Sequence, residues 1–309
     1  MRHWGGLALL KRLLLLLAIG IVPINLPPFE PPVTPVAPDD WQLVWSDEFN
    51  GAAGDPPNPL YWSCVVGDGG WGNREWEYYT DRAENVATDG NGHLVITARA
   101  ETLADTDCWY GTCTYTSARC TTRGKIKFTY GRIEARLRLP QGQGIWPAFW
   151  MLGANYSQVG WPDSGEIDIM EHIGSEPHTV YGTLHGPGYF GEDSLGNIYN
   201  LVEPVYEDYH VFGIEWEANI IRWYVDDEWV GSFQPGNLNG NPWVFNRAFF
   251  ILINLAVGGT WPGYPDATTI FPQTLQVDWV RIYQRPGHSA IIRPEATPTE
   301  IPFEIPAPK

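Results

Sequence analysis

Apolar and polar side chains alternate along much of the middle of this chain. From Arg132 to Leu139 the polar positions 132, 134, 136 and 138 alternate strictly with apolar residues, which predicts a half-buried β-strand. Asp226 and Asp227 separate two aromatic-rich runs and predict a hairpin turn. Similar runs, bounded by clusters of Gly, Pro, Asn and Asp, occur at 94–98, 210–216, 220–225, 249–256 and 275–283. Because no long helical period competes, the pattern predicts an all-β fold, a jelly-roll β-sandwich of two antiparallel sheets.

The two ends of the chain differ from this alternating region. Residues 1–26 carry basic residues ahead of an apolar run at 13–22, which is short for a membrane span and is typical of an export signal. A cleaved signal peptide and a retained signal anchor both stay open, since no clear cleavage site follows the run. Residues 27–38 and 286–309 are Pro-rich and predict a linker and a tail. The folded domain is therefore expected at 39–285.

Composition narrows the classes of partner. The 309 residues carry a formal charge of −17, which disfavours nucleic acid and anionic lipid as partners. Four cysteines in an exported chain favour disulfides; three pairings of Cys64, Cys108, Cys113 and Cys120 are open, and close spacing favours Cys108 with Cys113. Buried free thiols are the alternative, whereas zinc ligation lacks the usual Cys and His spacing.

The most informative segment is the acidic run at 165–172. In a regular strand Glu166 and Asp168 share one face, whereas Glu171, five positions from Glu166, points to the other. A β-bulge at Ile169–Met170 would return Glu171 to the face of the other two carboxylates. We therefore predict a bulged strand with three acids on one face.

Such a row suits the hydrolysis of a glycosidic bond. With the bulge, the Cα atoms of Glu166 and Glu171 are expected about 13 Å apart, and the carboxyl groups can approach to about 5 Å, the separation typical of retaining glycosidases. This estimate does not exclude an inverting mechanism, in which the two carboxyl groups lie about 6.5 to 9.5 Å apart. Asp168 between them can share a proton with Glu166. A calcium-binding acidic patch and a plain surface strand are the alternatives, and His172 is expected to face the other way.

Tryptophans supply a second line of evidence, because sugar rings stack their apolar faces on indole. Sixteen are present. Trp146 and Trp150 precede the acidic strand, and Trp71 and Trp261 stand in glycine-rich loops, where they are the favoured sugar platforms. Core packing is the alternative for each of them.

These motifs closely resemble glycoside hydrolase family 16, specifically its bacterial laminarinase-like endo-β-1,3-glucanases, across nearly all of residues 41–284. The resemblance implies a concanavalin A-like jelly roll with an open cleft and retaining hydrolysis, with Glu166 as the nucleophile, Asp168 as its assistant and Glu171 as the acid/base. The extra Met170 is typical of members that cleave β-1,3-linked glucans. The carriers of the resemblance are 45–49, 70–75, 130–135, 146–150, 165–171, 254–259 and 277–283.

The resemblance also implies binding residues and an ion. His185 matches a family histidine near the catalytic strand, with strand packing as the alternative. A structural Ca²⁺ away from the cleft would use Glu48, Gly92 and Asp278, two of them through main-chain oxygens; no bound ion is the alternative. The expected substrate-binding residues are Asn73, Trp71, Arg119, Trp146, Trp150, His185 and Trp261.

The sequence thus predicts a retaining endo-glycosidase for neutral β-1,3-glucan, with mixed-linkage β-1,3-1,4-glucan as a further candidate substrate, acting as a monomer without a redox or organic cofactor. It is expected to be secreted, or held on the outer face of the cell membrane only through an uncleaved N-terminal anchor. A non-catalytic β-glucan-binding protein is the alternative from another class. A transglycosylase or a galactanase on the same fold is the third candidate.

Overall fold

Strands dominate residues 41–286, the part of the chain that this computed structural model describes. They are β1 Gln42–Asp47, β2 Ser63–Cys64, β3 Glu77–Tyr79, β4 Val86–Thr88, β5 Leu94–Ala100, β6 Asp107–Cys108, β7 Gly111–Thr112, β8 Tyr115–Ser117, β9 Arg119–Thr121 and β10 Gly131–Arg138. They continue with β11 Ile145–Gly153, β12 Glu166–Glu171, β13 Thr179–His185, β14 Leu195–Asn200, β15 His210–Glu217, β16 Ile220–Val225, β17 Glu228–Phe233, β18 Phe249–Val257 and β19 Gln273–Gln284. A one-turn helix, α1 Tyr156–Val159, and 3₁₀ turns at Gly70–Gly72, Gly191–Asp193 and Pro235–Leu238 lie between them.

Two large sheets pack face to face. One has ten strands, with β17-β16-β15-β10-β19-β5-β8-β3 as its main path, β1 beside β19 and β4 beside β5; the other has seven, in the order β14-β13-β12-β11-β18-β9-β2. The apolar residues between the sheets form the core, and every residue of β18 is buried. Among the described strands, pairing is antiparallel except between β3 and β8, which run parallel. The predicted jelly-roll sandwich is confirmed.

The alternating patterns located the strands correctly, and one polar position differs from expectation. Asp226 and Asp227 form the predicted hairpin turn with φ of 50° and 65°, the left-handed conformation that short Asp-containing turns adopt. Glu134, on the polar face of β10, is only 6% exposed. Because β10 lies between β15 and β19, Glu134 is covered there and forms an ion pair with Arg132.

Both cysteine pairs form disulfides. Cys108 and Cys113 are joined, as their spacing favoured, and Cys64 on β2 is joined to Cys120 on β9. Cys64 and Cys120 are also partners in the strand register, so this bridge fixes the edge of the seven-stranded sheet.

The predicted export segment at 1–26, the linker at 27–38 and the tail at 286–309, apart from Pro286, lie outside the described residues. Within residues 41–286, no helix combines the length and the apolar character that crossing a membrane requires.

Candidate active site

The acidic strand β12 carries the predicted bulge. Across from it on β13, Gly182 alone stands opposite the two residues Ile169–Met170, and the register with β11 shifts at the same place. The extra residue turns Glu171 back, so that Glu166, Asp168 and Glu171 all line one cleft of about 890 Å³. The sequence-based prediction of a bulged strand with three acids on one face is confirmed.

A tryptophan from the opposite sheet holds the bulge in place. Trp223 on β16 is buried and donates its indole N–H to the main-chain oxygen of Asp168 at 2.9 Å. Gly182 makes room for it, because a Cβ at this position would lie 2.3 Å from Cδ1 of Trp223. Ile169 and Met170 are themselves buried in the core. Packing on the core side of β12 therefore fixes the positions of the three acids that face the cleft.

Two further tryptophans orient the glutamates from the cleft side. Trp161 donates its indole N–H to Oε2 of Glu166 at 2.9 Å. Trp146 donates in the same way to Oε1 of Glu171 at 3.1 Å, and the hydroxyl of Thr183 donates to Oε2 at 3.5 Å. Because each glutamate has an indole donor, each carboxyl group is held at a defined position in the cleft.

His185 lies beside the central acid. Its Nε2 is 3.2 Å from Oδ2 of Asp168, and its Nδ1 accepts the backbone N–H of Gly191 at 3.3 Å. Because Nδ1 accepts from Gly191, Nε2 is the ring nitrogen next to Asp168. One ligand atom from each of Glu166, Asp168 and His185 lies within 4.8 Å of the others, a spacing that a metal ion can use. The same contacts let these groups share protons.

All three carboxyl groups hold their protons more tightly than usual. Burial, followed by the negative charge of Asp168, raises the pKa of Glu166 to about 8. Burial also raises the pKa of Asp168, while a hydrogen bond with Glu166 lowers it. The pKa of Glu171 is raised well above its usual range, first by burial and then by the charge of Asp168. Glu171 is therefore suited to donate a proton, and Glu166 and Asp168 form a proton-sharing pair.

One end of the cleft has an open aromatic surface. Trp261 is 45% exposed and packs edge to face on Trp146, with ring centroids 5.3 Å apart, and on Tyr181 at 5.0 Å. Trp261 therefore has the exposure that a sugar-stacking platform requires. Trp146 stands between it and Glu171 and contributes to both the aromatic surface and the acid site.

Trp71 differs from the prediction that it is an open platform. It lines the cleft but is only 7% exposed, because the guanidinium of Arg119 lies 5.0 Å from its ring centroid. Arg119 also lies 5.3 Å from the rings of both Tyr79 and Trp150. Trp71 and Trp150 thus form a packed cation–π cluster with Arg119 in the cleft wall rather than free stacking surfaces.

A chain of hydrogen bonds links this wall to Asn73. The indole of Trp150 donates to Oδ1 of Asn254 at 2.7 Å, and Nδ2 of Asn254 donates to the hydroxyl of Tyr79 at 3.2 Å. Tyr79 donates to Oε2 of Glu75 at 3.3 Å, and Nδ2 of Asn73 donates to Oε1 of Glu75 at 2.9 Å. Asn73 lines the cleft as predicted, and its side chain is held by this network.

Sequence reasoning missed several residues of the cleft. Glu75 and Asn254 stand inside motifs that carried the family resemblance, but their buried polar contacts are made across the fold. Tyr181 and Thr183 could have been found from strand parity, because they alternate with His185 on β13 and therefore share its face. Trp161, Phe190 and Asn197 complete this side of the cleft.

The residues expected to bind calcium are partly brought together. The main-chain oxygen of Glu48 lies 3.9 Å from the position of a Cβ on Gly92, so two of the expected main-chain segments are adjacent. The Glu48 side chain is bound by Arg281 at 2.8 and 2.9 Å, and the Asp278 carboxylate accepts from Arg136 at 2.6 Å. The main-chain part fits a hard cation, whereas Asp278 already has a cationic partner.

Known proteins are similar to this chain in both sequence and fold. The model of glycosyl hydrolases family 16 matches residues 73–281. A β-glucanase from Rhodothermus marinus is 44% identical over 258 residues, which cover 79% of this chain and 85% of that protein. The laminarinase catalytic domain of Thermotoga maritima is 51% identical with a TM-score of 0.74, over 79% of this chain and 98% of that one.

The endo-β-1,3-glucanase of Pyrococcus furiosus is also similar, at 48% identity and a TM-score of 0.75, over 79% of this chain and 95% of that one. The family model covers more than half of the chain, and the fold, the bulged acidic strand and the aromatic cleft agree with it. This protein therefore belongs to glycosyl hydrolase family 16, and within it resembles the laminarinases.

Proposed function

We propose that this protein is a secreted, retaining endo-β-1,3-glucanase. The observation that carries the proposal is the bulge in β12, since it sets Glu171 on the same side as Glu166 and Asp168 at the floor of an aromatic cleft. The neighbouring laminarinases and endo-β-1,3-glucanase support the choice of linkage.

In the first step, a glucan chain lies across the cleft with the bond to be cleaved between the two glutamates. Glu166, as a carboxylate, attacks the anomeric carbon and forms an ester. Glu171 gives its proton to the glycosidic oxygen as the carbon–oxygen bond breaks, and the chain on that side leaves with a new hydroxyl group. The raised pKa of Glu171 keeps that proton available.

In the second step, water replaces the chain that has left. Glu171, now a carboxylate, takes a proton from the water. The oxygen of the water attacks the anomeric carbon, and the bond between that carbon and Glu166 breaks. Two displacements at one carbon restore its starting configuration. The product is a new reducing end of β configuration, and both glutamates return to their starting protonation.

Asp168 and His185 regulate the charge of the nucleophile. When Glu166 ionises, the proton it shared is held by Asp168, so that two adjacent negative charges do not form. His185, whose Nε2 lies 3.2 Å from Oδ2 of Asp168, stabilises negative charge on this pair of carboxyl groups. This arrangement supplies a carboxylate at Glu166 despite its burial.

The cleft also supports a neutral polysaccharide as substrate. A chain with a net charge of −17 repels sulfated or acidic glycans, and the exposed indole of Trp261 suits the apolar face of glucose. An open cleft admits an internal segment of a glucan chain, which favours endo cleavage. We further propose that the protein acts as a monomer. Mixed-linkage β-1,3-1,4-glucan is a further proposed substrate, and a calcium ion at Glu48 and Gly92 is a proposed structural component.

The test measures reducing ends released from laminarin by the wild type and by Glu166→Gln, with Glu203→Gln, at an exposed glutamate outside the cleft lining, as a matched control. We expect loss of turnover only in the first variant. Proton NMR of early products should show the β anomer first. Reducing ends released at the wild-type rate by Glu166→Gln would refute the nucleophile, α-anomer products would refute retention, and glucan binding without hydrolysis by the wild type would identify a binding protein.

A further inference from the structure

A small disulfide-closed hairpin packs on the outside of the cleft wall. We call residues 107–113 the disulfide hairpin; β6 and β7 pair within it, and Cys108 and Cys113 close it. Its tip residue Trp109 is 46% exposed and is not among the residues that line the cleft. The hairpin is therefore not part of the cleft lining, and it acts on the cleft through its contacts with the wall.

Those contacts fix two consecutive carbonyl groups. The indole N–H of Trp109 donates to the main-chain oxygen of Glu75 at 2.7 Å. The hydroxyl of Tyr110 donates to the main-chain oxygen of Trp76, also at 2.7 Å. The backbone N–H of Trp109 donates to the carboxylate of Asp68 at 2.6 Å. The hairpin thus binds both ends of the segment 68–76, which we call the Asn73 loop.

The packing between the two segments is close. A Cβ on Gly70 would lie 3.0 Å from Nε1 of Trp109, and Gly70 has a φ of 70°. Both the close approach and the left-handed backbone therefore favour glycine over other residues at this position. The ring of Trp76 packs on Tyr110 at 5.5 Å and on Tyr264 at 4.1 Å. From the core side, the backbone N–H of Trp76 donates to the main-chain oxygen of Val257 at 2.7 Å. The Asn73 loop is therefore held between the sheet and the hairpin.

The Asn73 loop carries side chains into the cleft. Glu75 is 2% exposed, and its carboxylate accepts from the Asn73 amide at 2.9 Å. Because the main-chain oxygen of Glu75 is bound by Trp109 while its side chain holds Asn73, a shift of the hairpin changes the position of Asn73. Trp109 and Tyr110 make their hydrogen bonds to this loop, whereas the three acids on β12 are held by Trp146, Trp161 and Trp223.

From this geometry we propose that Trp109 is a positioning residue: the disulfide hairpin, through the Trp109 indole N–H, holds the Asn73 loop in the conformation that binds glucan. The proposal rests on the proposed function. It predicts an effect on substrate binding and little effect on the chemical step, because the acids on β12 are held by separate contacts.

The first experiment replaces Trp109 by Phe, which keeps an aromatic ring but removes the N–H donor. Losing one such bond is expected to raise KM for laminarin about fivefold, with kcat within about twofold of the wild type. Trp229→Phe is the matched control, since Trp229 is 49% exposed, lies on β17 and is not among the residues that line the cleft; the KM of this variant should not change. A melting temperature equal to that of the wild type excludes general destabilisation as the cause.

Trp109→Ala separates positioning from sugar stacking. If Trp109→Phe matches the wild type and only Trp109→Ala binds laminarin more weakly, the ring and not the N–H is what matters, and the proposal is wrong. It is equally wrong if kcat and the melting temperature fall together with unchanged KM.

A second variant tests the hairpin without touching Trp109. Cys108→Ser with Cys113→Ser opens the disulfide hairpin and should reproduce the rise in KM, while an unchanged KM would overturn the proposal. Failure of the proposed function is a different result, because the wild type itself would then release no reducing ends from laminarin.

Discussion

Replacing Gly182 by Ala tests whether the bulge in β12 is held by the tryptophan behind it. The new methyl group would lie 2.3 Å from Cδ1 and 2.5 Å from Nε1 of Trp223. Because the methyl group and the buried indole cannot occupy the same space, the indole must move. Its hydrogen bond to the main-chain oxygen of Asp168 then breaks. Overpacking and the loss of this bond together should lower the free energy of unfolding by about 3 kcal/mol.

The effect is measurable in two assays. For a domain of this size, about 3 kcal/mol corresponds to a fall in melting temperature of about 6 to 12 °C. Release of reducing ends from laminarin should fall at least about tenfold, because Asp168 and Glu171 flank the displaced main chain. Gly196→Ala is the control for stability, since Gly196 is also in a strand and its nearest foreign atom would lie 4.0 Å from the new methyl group.

A double-mutant cycle gives the sharper result. Trp223→Ala removes Cγ, Cδ1 and Nε1, the indole atoms that the new methyl group on β13 would contact, so in that background Gly182→Ala should cost less than about 1 kcal/mol. Equal costs of Gly182→Ala in the two backgrounds would refute the reasoning, because the methyl group would then act through some contact other than Trp223.

Three other predictions address the acids, the bridge and the ion. Trp146→Phe removes a hydrogen bond that lowers the pKa of Glu171, so the alkaline limb of the kcat profile should move to higher pH. A shift of that limb to lower pH would contradict the assignment of Glu171 as the acid. Replacing Cys64 and Cys120 by Ala should reduce the free energy of unfolding by about 4 kcal/mol, measured by urea denaturation, and a loss well under about 1 kcal/mol would show that the bridge constrains the unfolded chain little. Removal of metal with EDTA should lower the melting temperature if calcium is bound near Glu48, and an unchanged curve after confirmed removal argues against the ion.

The sequence was sufficient to predict the features that depend on local periodicity. Strand alternation located β10 and β19, and the parity of Glu166 and Glu171 required the bulge. Both arguments use only the geometry of a strand, in which successive side chains point to opposite faces. The close spacing of Cys108 and Cys113 similarly indicated one disulfide.

Features that depend on distant residues could not be predicted in this way. The loop context of Trp71 favoured an exposed ring, but Arg119 from another strand covers it. Glu134 was placed on a polar face, yet neighbouring strands bury it. The donor to Asp168, Trp223, lies 55 residues away on the opposite sheet. No local pattern contains such contacts, because they arise only when the two sheets pack.

The strand that carries the acids lies inside its sheet, with β11 and β13 on either side, whereas Asn73 and Trp261 come from loops at the rim. Hydrogen exchange should consequently be slow at the main chain of β12 and faster around the rim. Exchanging the loops that carry Asn73 and Trp261 is therefore a practical route to new glycan preferences, provided that Trp146 and Trp161, which hold the two glutamates, are kept.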